Sequence, residues 1–253
     1  MIMSGLADKH IVITRAPHQA DALAEQSRAQ GAVPVLFPCI DIALPPDVTP
    51  LDDALTHLAS FDWLVLTSVN TVHIVTQRLE TLGIIPNWSS VRVAAIGRKT
   101  ACSTMQLLGV TPDVVPDEQI SEGLAEAIDV RHCERVLLPQ SNLARPTLAQ
   151  LLCARGAHVV PVEAYRTIVG SGGDDVASML QAGQVDMLTF TSASTARNFV
   201  ERVPDAINFG VPVACIGPTA AEAAHEVGFQ VVLTPQHYSL EGLFQLIQEH
   251  FGD

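Results

Sequence analysis

Along this chain, short apolar runs alternate with longer amphipathic stretches. Ile11–Thr14, Val33–Phe37, Trp63–Leu66 and Val91–Ile96 are too short for helices and predict buried strands. Ala20–Gln30 predicts a helix with Leu23 inward, and helices are also predicted over Leu51–Ala59, from about Thr71 to Leu82, and from Gly97 to Gly109. Gly31, Gly83 and Gly109 supply helix stops. Thr49-Pro50 predicts an N-cap with proline at the first helical position. A short strand at Asp113–Val115 and a helix around Glu122–Ile128 close this series. A second series follows, with strands near Arg135–Leu138, His158–Val162, Met187–Phe190, Val213–Ile216 and Val231–Leu233 and helices between them. Such alternation predicts an α/β fold of parallel sheets with helices on both faces. Ligands of such sheets bind beyond the carboxyl ends of the strands.

The two series are copies. Thr67-Ser68-Val-Asn-Thr71 matches Thr191-Ser192-Ala-Ser-Thr195, and Ile96-Gly97 matches Ile216-Gly217. Gly109 to Pro116 matches Gly228 to Pro235, Glu122-Gly123-Leu124 matches Glu241-Gly242-Leu243, and Ile11 to Phe37 parallels Val136 to Val162. A period of about 120–125 residues is too long for a solenoid and marks a duplicated domain-sized unit. Pro38–Pro50 is proline-rich, and Glu163–Gly173 ends in Gly170-Ser-Gly-Gly; both read as linkers. They fall inside the copies, after the second strand of each. The expected domains are therefore 1–37 with 167–253, discontinuous, and 38–166, inserted, with crossings near 36–41 and 162–173.

Composition narrows the function classes. Nearly half of the 253 residues are hydrophobic, enough to bury a core, and the net charge is −13 with only 14 Lys and Arg. That charge disfavours nucleic acid and anionic membranes as partners. Five cysteines, without any C-x-x-C, read as free core thiols in a reducing compartment. No apolar stretch approaches the roughly 20 residues that span a bilayer. The first residues lack the pattern of a signal peptide, and Met3 could equally be the start. The expected location is the cytoplasm.

Motifs for a dinucleotide, a P-loop, zinc or a serine nucleophile elbow are absent. The nine histidines are scattered and read as surface or satisfied core residues. What remains is a set of polar strand-to-helix turns: Thr14-Arg15; Thr67, Ser68 and Asn70; Gly97 and Thr100; Ser192 and Ser194; Gly217 and Thr219. Ordinary capping explains such residues, since Ser, Thr and Asn satisfy free helix amides in any protein. The functional reading is an anion site built from helix N-termini with little Lys or Arg. Tyr165 stands at a domain crossing. It reads either as a packing residue with a satisfied hydroxyl or as a proton donor where few other acids exist.

The ordered motifs Val12-Ile-Thr-Arg15, Thr67-Ser-x-Asn70, Ala95-Ile-Gly97-x-x-Thr-Ala101, Pro161-Val-x-x-Tyr165-Arg-Thr167, Thr191-Ser-x-Ser194, Cys215-Ile-Gly-Pro-Thr219 and Glu241-Gly-Leu243 resemble the uroporphyrinogen-III synthase family over nearly the whole chain. The resemblance implies two α/β domains joined by a two-stranded connector, with a cleft between them. It implies a cofactor- and metal-free monomer. The substrate would be hydroxymethylbilane, a linear tetrapyrrole with eight carboxylates, which loses water and closes with ring D inverted. In this resemblance Tyr165 is the acid for the departing hydroxyl, and the turn residues bind substrate. Because the bilane also closes unaided without inversion, control of geometry matters more than lowering a barrier. An eight-fold anion also calls for a locally neutral or positive site in this acidic chain. One departure stands out. Pro139-Gln140 replaces the family's frequent Arg-Gly, which leaves Arg145 or Arg15 to compensate. The alternatives are a non-enzymatic two-domain small-anion binding or sensing module, and a nucleotide- or phosphosugar-binding enzyme.

Overall fold

The computed structural model describes residues 5–230 and 232–252. Met3, named as an alternative start, and Val231, named as the first residue of the last strand, lie outside them.

The strands and helices alternate almost throughout. The chain begins β1 (His10–Ile13), α1 (Pro17–Ala29), β2 (Val33–Leu36) and β3 (Ile40–Ala43), then α2 (Thr49–Thr56), β4 (Trp63–Leu66), α3 (Val69–Leu82), β5 (Arg92–Ala95) and α4 (Arg98–Ser103). After a π-helical turn at Thr104–Leu108 come α5 (Ser121–Ala127), β6 (Arg135–Ser141), α6 (Thr147–Ala154) and β7 (His158–Val169). The remainder is α7 (Val176–Gln181), β8 (Met187–Phe190), α8 (Ala193–Arg202), β9 (Val213–Cys215), α9 (Pro218–Glu226), β10 (Val232–Leu233) and α10 (Leu240–Gly252).

These elements form two compact units. Unit 1 holds the chain up to Asp41 and from Ile168 onward, and unit 2 holds Ile42–Thr167. Unit 1 has the sheet order β10-β9-β8-β1-β2, and every neighbouring pair is parallel. Unit 2 has the order β3-β7-β6-β4-β5, with β7-β6-β4-β5 parallel throughout.

Period-2 alternation explains why both faces of each sheet are covered. In unit 1, Val12, Leu188, Phe190, Val213 and Cys215 pack toward α7, α8 and α9, while Ile11, Ile13, Met187 and Ala214 pack toward α1 and α10. The first face holds a cluster of edge-to-face and tilted rings, Phe37, Phe190, Phe199 and Phe229. Burying each such ring is worth about 1.5–3 kcal/mol. In unit 2, Leu64, Leu66, Val93 and Leu137 face α2 and α3, while Trp63, Val65, Ala94, Val136 and Leu138 face α5 and α6.

Several expectations need correction. The stretches read as linkers also contain strand: β3 lies inside Pro38–Pro50, and β7 runs on to Val169. The flanking prolines and glycines hid them, but Ile40-Asp-Ile and Thr167-Ile-Val still suit an extended backbone. The N-cap of α2 is Val48, not Thr49, and the helix takes Thr49 and Pro50 as its first residues. Asp47 takes over the capping contact by accepting from the Thr49 amide at 2.9 Å. The strand expected at Asp113–Val115 is a single parallel bridge between Ala94 and Val114. Finally, the cysteines are all free, but only Cys39 and Cys215 are in the core; Cys102, Cys133 and Cys153 are exposed.

Candidate active site

In unit 2, β4 ends at Leu66, Thr67 is half-buried, and Ser68 caps α3. The backbone of Ser68 is extended (φ −159°, ψ 158°), as an N-cap requires, and its Oγ accepts from the Thr71 amide at 3.0 Å. Thr71 Oγ1 stands 2.9 Å from the same oxygen. Asn70 lies half-buried in the first turn of α3.

A third contact makes this turn more than a cap. Tyr165 Oη is 3.1 Å from Ser68 Oγ. The cause is a register irregularity between β6 and β7: Gln140 pairs with Glu163, but Ser141 pairs with Tyr165, so Ala164 is the extra residue. Strict alternation would send Tyr165 to the face opposite Ala164. The bulge instead turns both toward the α2–α3 side, where both are buried with Val162. The Asn142 amide donates to the Tyr165 carbonyl at 3.1 Å, and its Oδ1 accepts from the Thr167 amide at 3.0 Å, so the ring is held from both sides in sequence.

In unit 1 the matching turn closes on itself. Ser192 caps α8 in a capping box with Thr195, and its Oγ lies 2.9 Å from Ser194 Oγ. Thr191 and Ser194 are half-buried. The parallel order of the sheet sets this turn beside the ends of β1 and β9.

Gly97 and Gly217 cap α4 and α9 with extended backbones, so left-handed geometry is not why they are glycine. At 97 close approach is: a Cβ there would meet Gln119 Oε1 at 2.2 Å, whereas one at 217 would only be in ordinary contact with the Tyr238 ring, at 3.4 Å. Each glycine lines a cavity. That of unit 1, about 310 Å³, has Thr191, Ser192, Gly217, Thr219 and Tyr238 in its walls. That of unit 2, about 340 Å³, has Gly97, Arg98, Lys99, Thr100 and Gln119. Thr219 is exposed and Thr100 is nearly enclosed.

At the end of β1, Thr14 is fully buried and donates its hydroxyl to the Thr189 carbonyl at 2.5 Å. It therefore ties β1 to β8 and has no hydroxyl proton left for a ligand. Arg15 differs. Its Nη2 donates to Gln19 at 3.2 Å, while its Nε is buried without a partner. Burial lowers its pKa, an effect that a neighbouring anion would offset. Among the described residues, no cluster of His, Cys, Asp or Glu could hold a metal, and no helix is long and apolar enough to cross a membrane.

The family model described as uroporphyrinogen-III synthase HemD matches residues 21–245. This chain belongs to the uroporphyrinogen-III synthase family. A uroporphyrinogen-III synthase of Synechococcus elongatus is 34% identical over 256 residues, covering 96% of each chain. A putative uroporphyrinogen-III synthase of Methanocaldococcus jannaschii is 28% identical, covering 94% of this chain and 97% of its own. Two solved structures share the fold. A uroporphyrinogen-III synthetase from Helicobacter pylori has a TM-score of 0.62 at 16% identity, over 96% of this chain and 99% of its own. A mutant uroporphyrinogen III synthase from Thermus thermophilus has a TM-score of 0.61 at 21% identity, over 95% and 98%.

Within this family fold, the sequence reading missed Gln119, Tyr238, Arg98, Lys99 and Asn142. A signal for the first two existed. The offset that pairs Glu122 with Glu241 also pairs Gln119 with Tyr238, and each covers the glycine of its own copy.

Proposed function

We propose that this chain closes hydroxymethylbilane to uroporphyrinogen III, with loss of water and inversion of ring D. The observation that carries the reading is the Ser68–Tyr165 contact, set beside family membership. Ser68 Oγ accepts from the Thr71 amide, so one arrangement satisfies every partner: Thr71 Oγ1 donates to Ser68, Ser68 donates to Tyr165 Oη, and the phenol proton is left free. Tyr165 can then protonate the departing hydroxyl. The C–O bond breaks with its electron pair on water, and the pyrrole nitrogen of ring A supports the resulting methylene cation. The substituted carbon of ring D attacks that methylene, giving the spirocyclic pyrrolenine. The original bond from ring D to its bridge then breaks and re-forms at the other α-carbon. The proton lost there restores Tyr165, so the balance is one bilane to one macrocycle and one water. Until then the tyrosinate is supported by the Ser68 hydroxyl and by the positive end of α3.

Thr67, Asn70, Gly97, Thr100, Ser192, Ser194, Gly217, Thr219 and Arg15 are read as carboxylate-binding or ring-positioning groups. The protein is read as a cytoplasmic monomer with a free small-molecule substrate, needing no cofactor or metal. Its net charge of −13 supports the absence of nucleic acid and anionic membrane from its partners. Family membership disfavours the binding or sensing module, which would not need an acid. The test is to supply enzymatically generated hydroxymethylbilane and separate the products by chromatography. Isomer III should dominate; only isomer I would overturn the function.

A further inference from the structure

The chain is poor in cations, and most of them are committed. Lys9, Arg78, Arg92, Arg166 and Arg197 are in ion pairs. Arg135, Arg155 and Arg202 are held by backbone carbonyls. Arg98 and Lys99 are adjacent and exposed, and neither side chain has an ion-pair or hydrogen-bond partner among the described residues. Asp117 and Glu118 share the loop of Gln119, yet neither forms an ion pair with Arg98 or Lys99.

The third group of this cavity is oriented to match. Gln119 Oε1 accepts from the Arg98 amide at 3.3 Å, which leaves the Gln119 amide nitrogen to donate elsewhere. The polar residues of the lining are thus Arg98, Lys99, Gln119 and Thr100, two of them cationic. A guanidinium and an ammonium lining one space, with no anion paired to either, suit a carboxylate and disfavour a cation. The matching cavity of unit 1 has Pro218-Thr219 and Tyr238 at the equivalent positions and carries no charge.

Resting on the function proposed above, we infer that Arg98, Lys99 and Gln119 form a carboxylate subsite that takes an acidic side chain of the tetrapyrrole in unit 2. It sets affinity and takes no part in bond making. The subsite lets an acidic protein hold a polyanion by concentrating unpaired cations at one strand end.

The test compares Arg98→Gln/Lys99→Gln with Arg28→Gln/Arg131→Gln, which makes the same change of charge elsewhere. Binding of uroporphyrin III, the oxidised fluorescent form of the product, is titrated alongside steady-state turnover. The first variant should bind about tenfold more weakly and raise KM by about the same factor, with kcat within about twofold and isomer III retained. Its kcat/KM should also depend less steeply on ionic strength. The control variant should match wild type. Arg98→Glu/Lys99→Glu should weaken binding further, and thermal melting checks that all variants are folded. Unchanged porphyrin affinity and KM in the Gln variant overturn the subsite. If the wild-type protein gave only isomer I, the function would fail, yet the porphyrin titration would still decide whether the cations bind a polycarboxylate.

Discussion

In unit 1 the hydroxyl of Ser192 is turned to its own helix, toward Ser194 and the Thr195 amide. In unit 2 Ser68 caps its helix the same way but also meets Tyr165, 97 residues away. The duplicated turn itself differs little. The strand two places along the sheet is what diverged. β2 ends at Leu36, whereas its counterpart β7 runs on through a bulge to Val169, and the repeat sets Ile40 of unit 1 where unit 2 has Tyr165. Cations diverged too: unit 1 carries Arg15 where unit 2 has Gln140, and unit 2 carries Arg98-Lys99 where unit 1 has Pro218-Thr219. The repeat thus supplies a common frame of helix caps, and the strand extension of β7 sets the Tyr165 phenol beside one of them.

The largest effect should come from removing the phenol hydroxyl. Tyr165→Phe keeps the packed ring and should lower kcat by about 100-fold, the lower end of the general-acid range. The fraction of isomer I should rise as uncatalysed closure catches up. Near-wild-type turnover in the bilane assay would make Tyr165 positional at most.

The next test sets the two caps against each other. Ser68→Ala and Ser192→Ala should each cost about 1 kcal/mol of stability, a fall of roughly 2–4 °C in Tm by calorimetry. Only Ser68→Ala should also lower kcat, by about tenfold. Equal activity losses would remove the distinction between the turns.

The glycines should differ by less. Gly97→Ala would displace Gln119, since the Cβ would lie 2.2 Å from its Oε1, and should cost about 1 kcal/mol in urea unfolding. At Gly217 the nearest ring atom is at ordinary contact distance, 3.4 Å, so the change should stay within about 0.5 kcal/mol.

The smallest contrast is in alkaline stability and thiol reactivity. Burial pushes the Cys39 and Cys215 thiols up to about 12, and both belong to unit 1. Folding therefore favours the neutral thiol. This contribution is complete below about pH 9, the ordinary thiol value, and declines as pH rises from there to about 12. Urea unfolding followed through that window should show it. Cys39→Ala/Cys215→Ala should flatten the decline. At pH 8 iodoacetamide should label Cys102, Cys133 and Cys153 of the folded protein and spare the buried pair, as read by intact mass.

Much of the fold was legible because short apolar runs fit only buried strands, and Gly83 and Gly109 stop their helices in the left-handed conformation expected of them. The strand extension of β7 was not legible. Glu163-Ala-Tyr-Arg breaks alternation because a bulge sits there, and a bulge looks like a loop in a period-2 pattern. In the candidate site, Ser68 and Tyr165 were each visible singly through motif position, but their contact depends on register between β6 and β7. At Thr14 only the polarity was legible; that its hydroxyl serves the strand pair depends on the register of β1 with β8. Arg98 and Lys99 were hidden by being ordinary surface cations. What sets them apart is that two unpaired cations are adjacent and line one cavity with Gln119.

The discontinuity of unit 1 has a consequence for how the chain is made. β1 lies between β2 and β8, and its register with β8 joins Ile11 to Met187 and Ile13 to Thr189. Synthesis runs from the N-terminus, so all of unit 2 leaves the ribosome before β8 does. Throughout that interval β1 and β2 have one another but lack the strand that completes their sheet, leaving an open edge of the kind that invites mispairing. Unit 2 can mature as a continuous segment. Unit 1 must wait for the tail of the chain, and its first strands are the part of the nascent protein most in need of shelter.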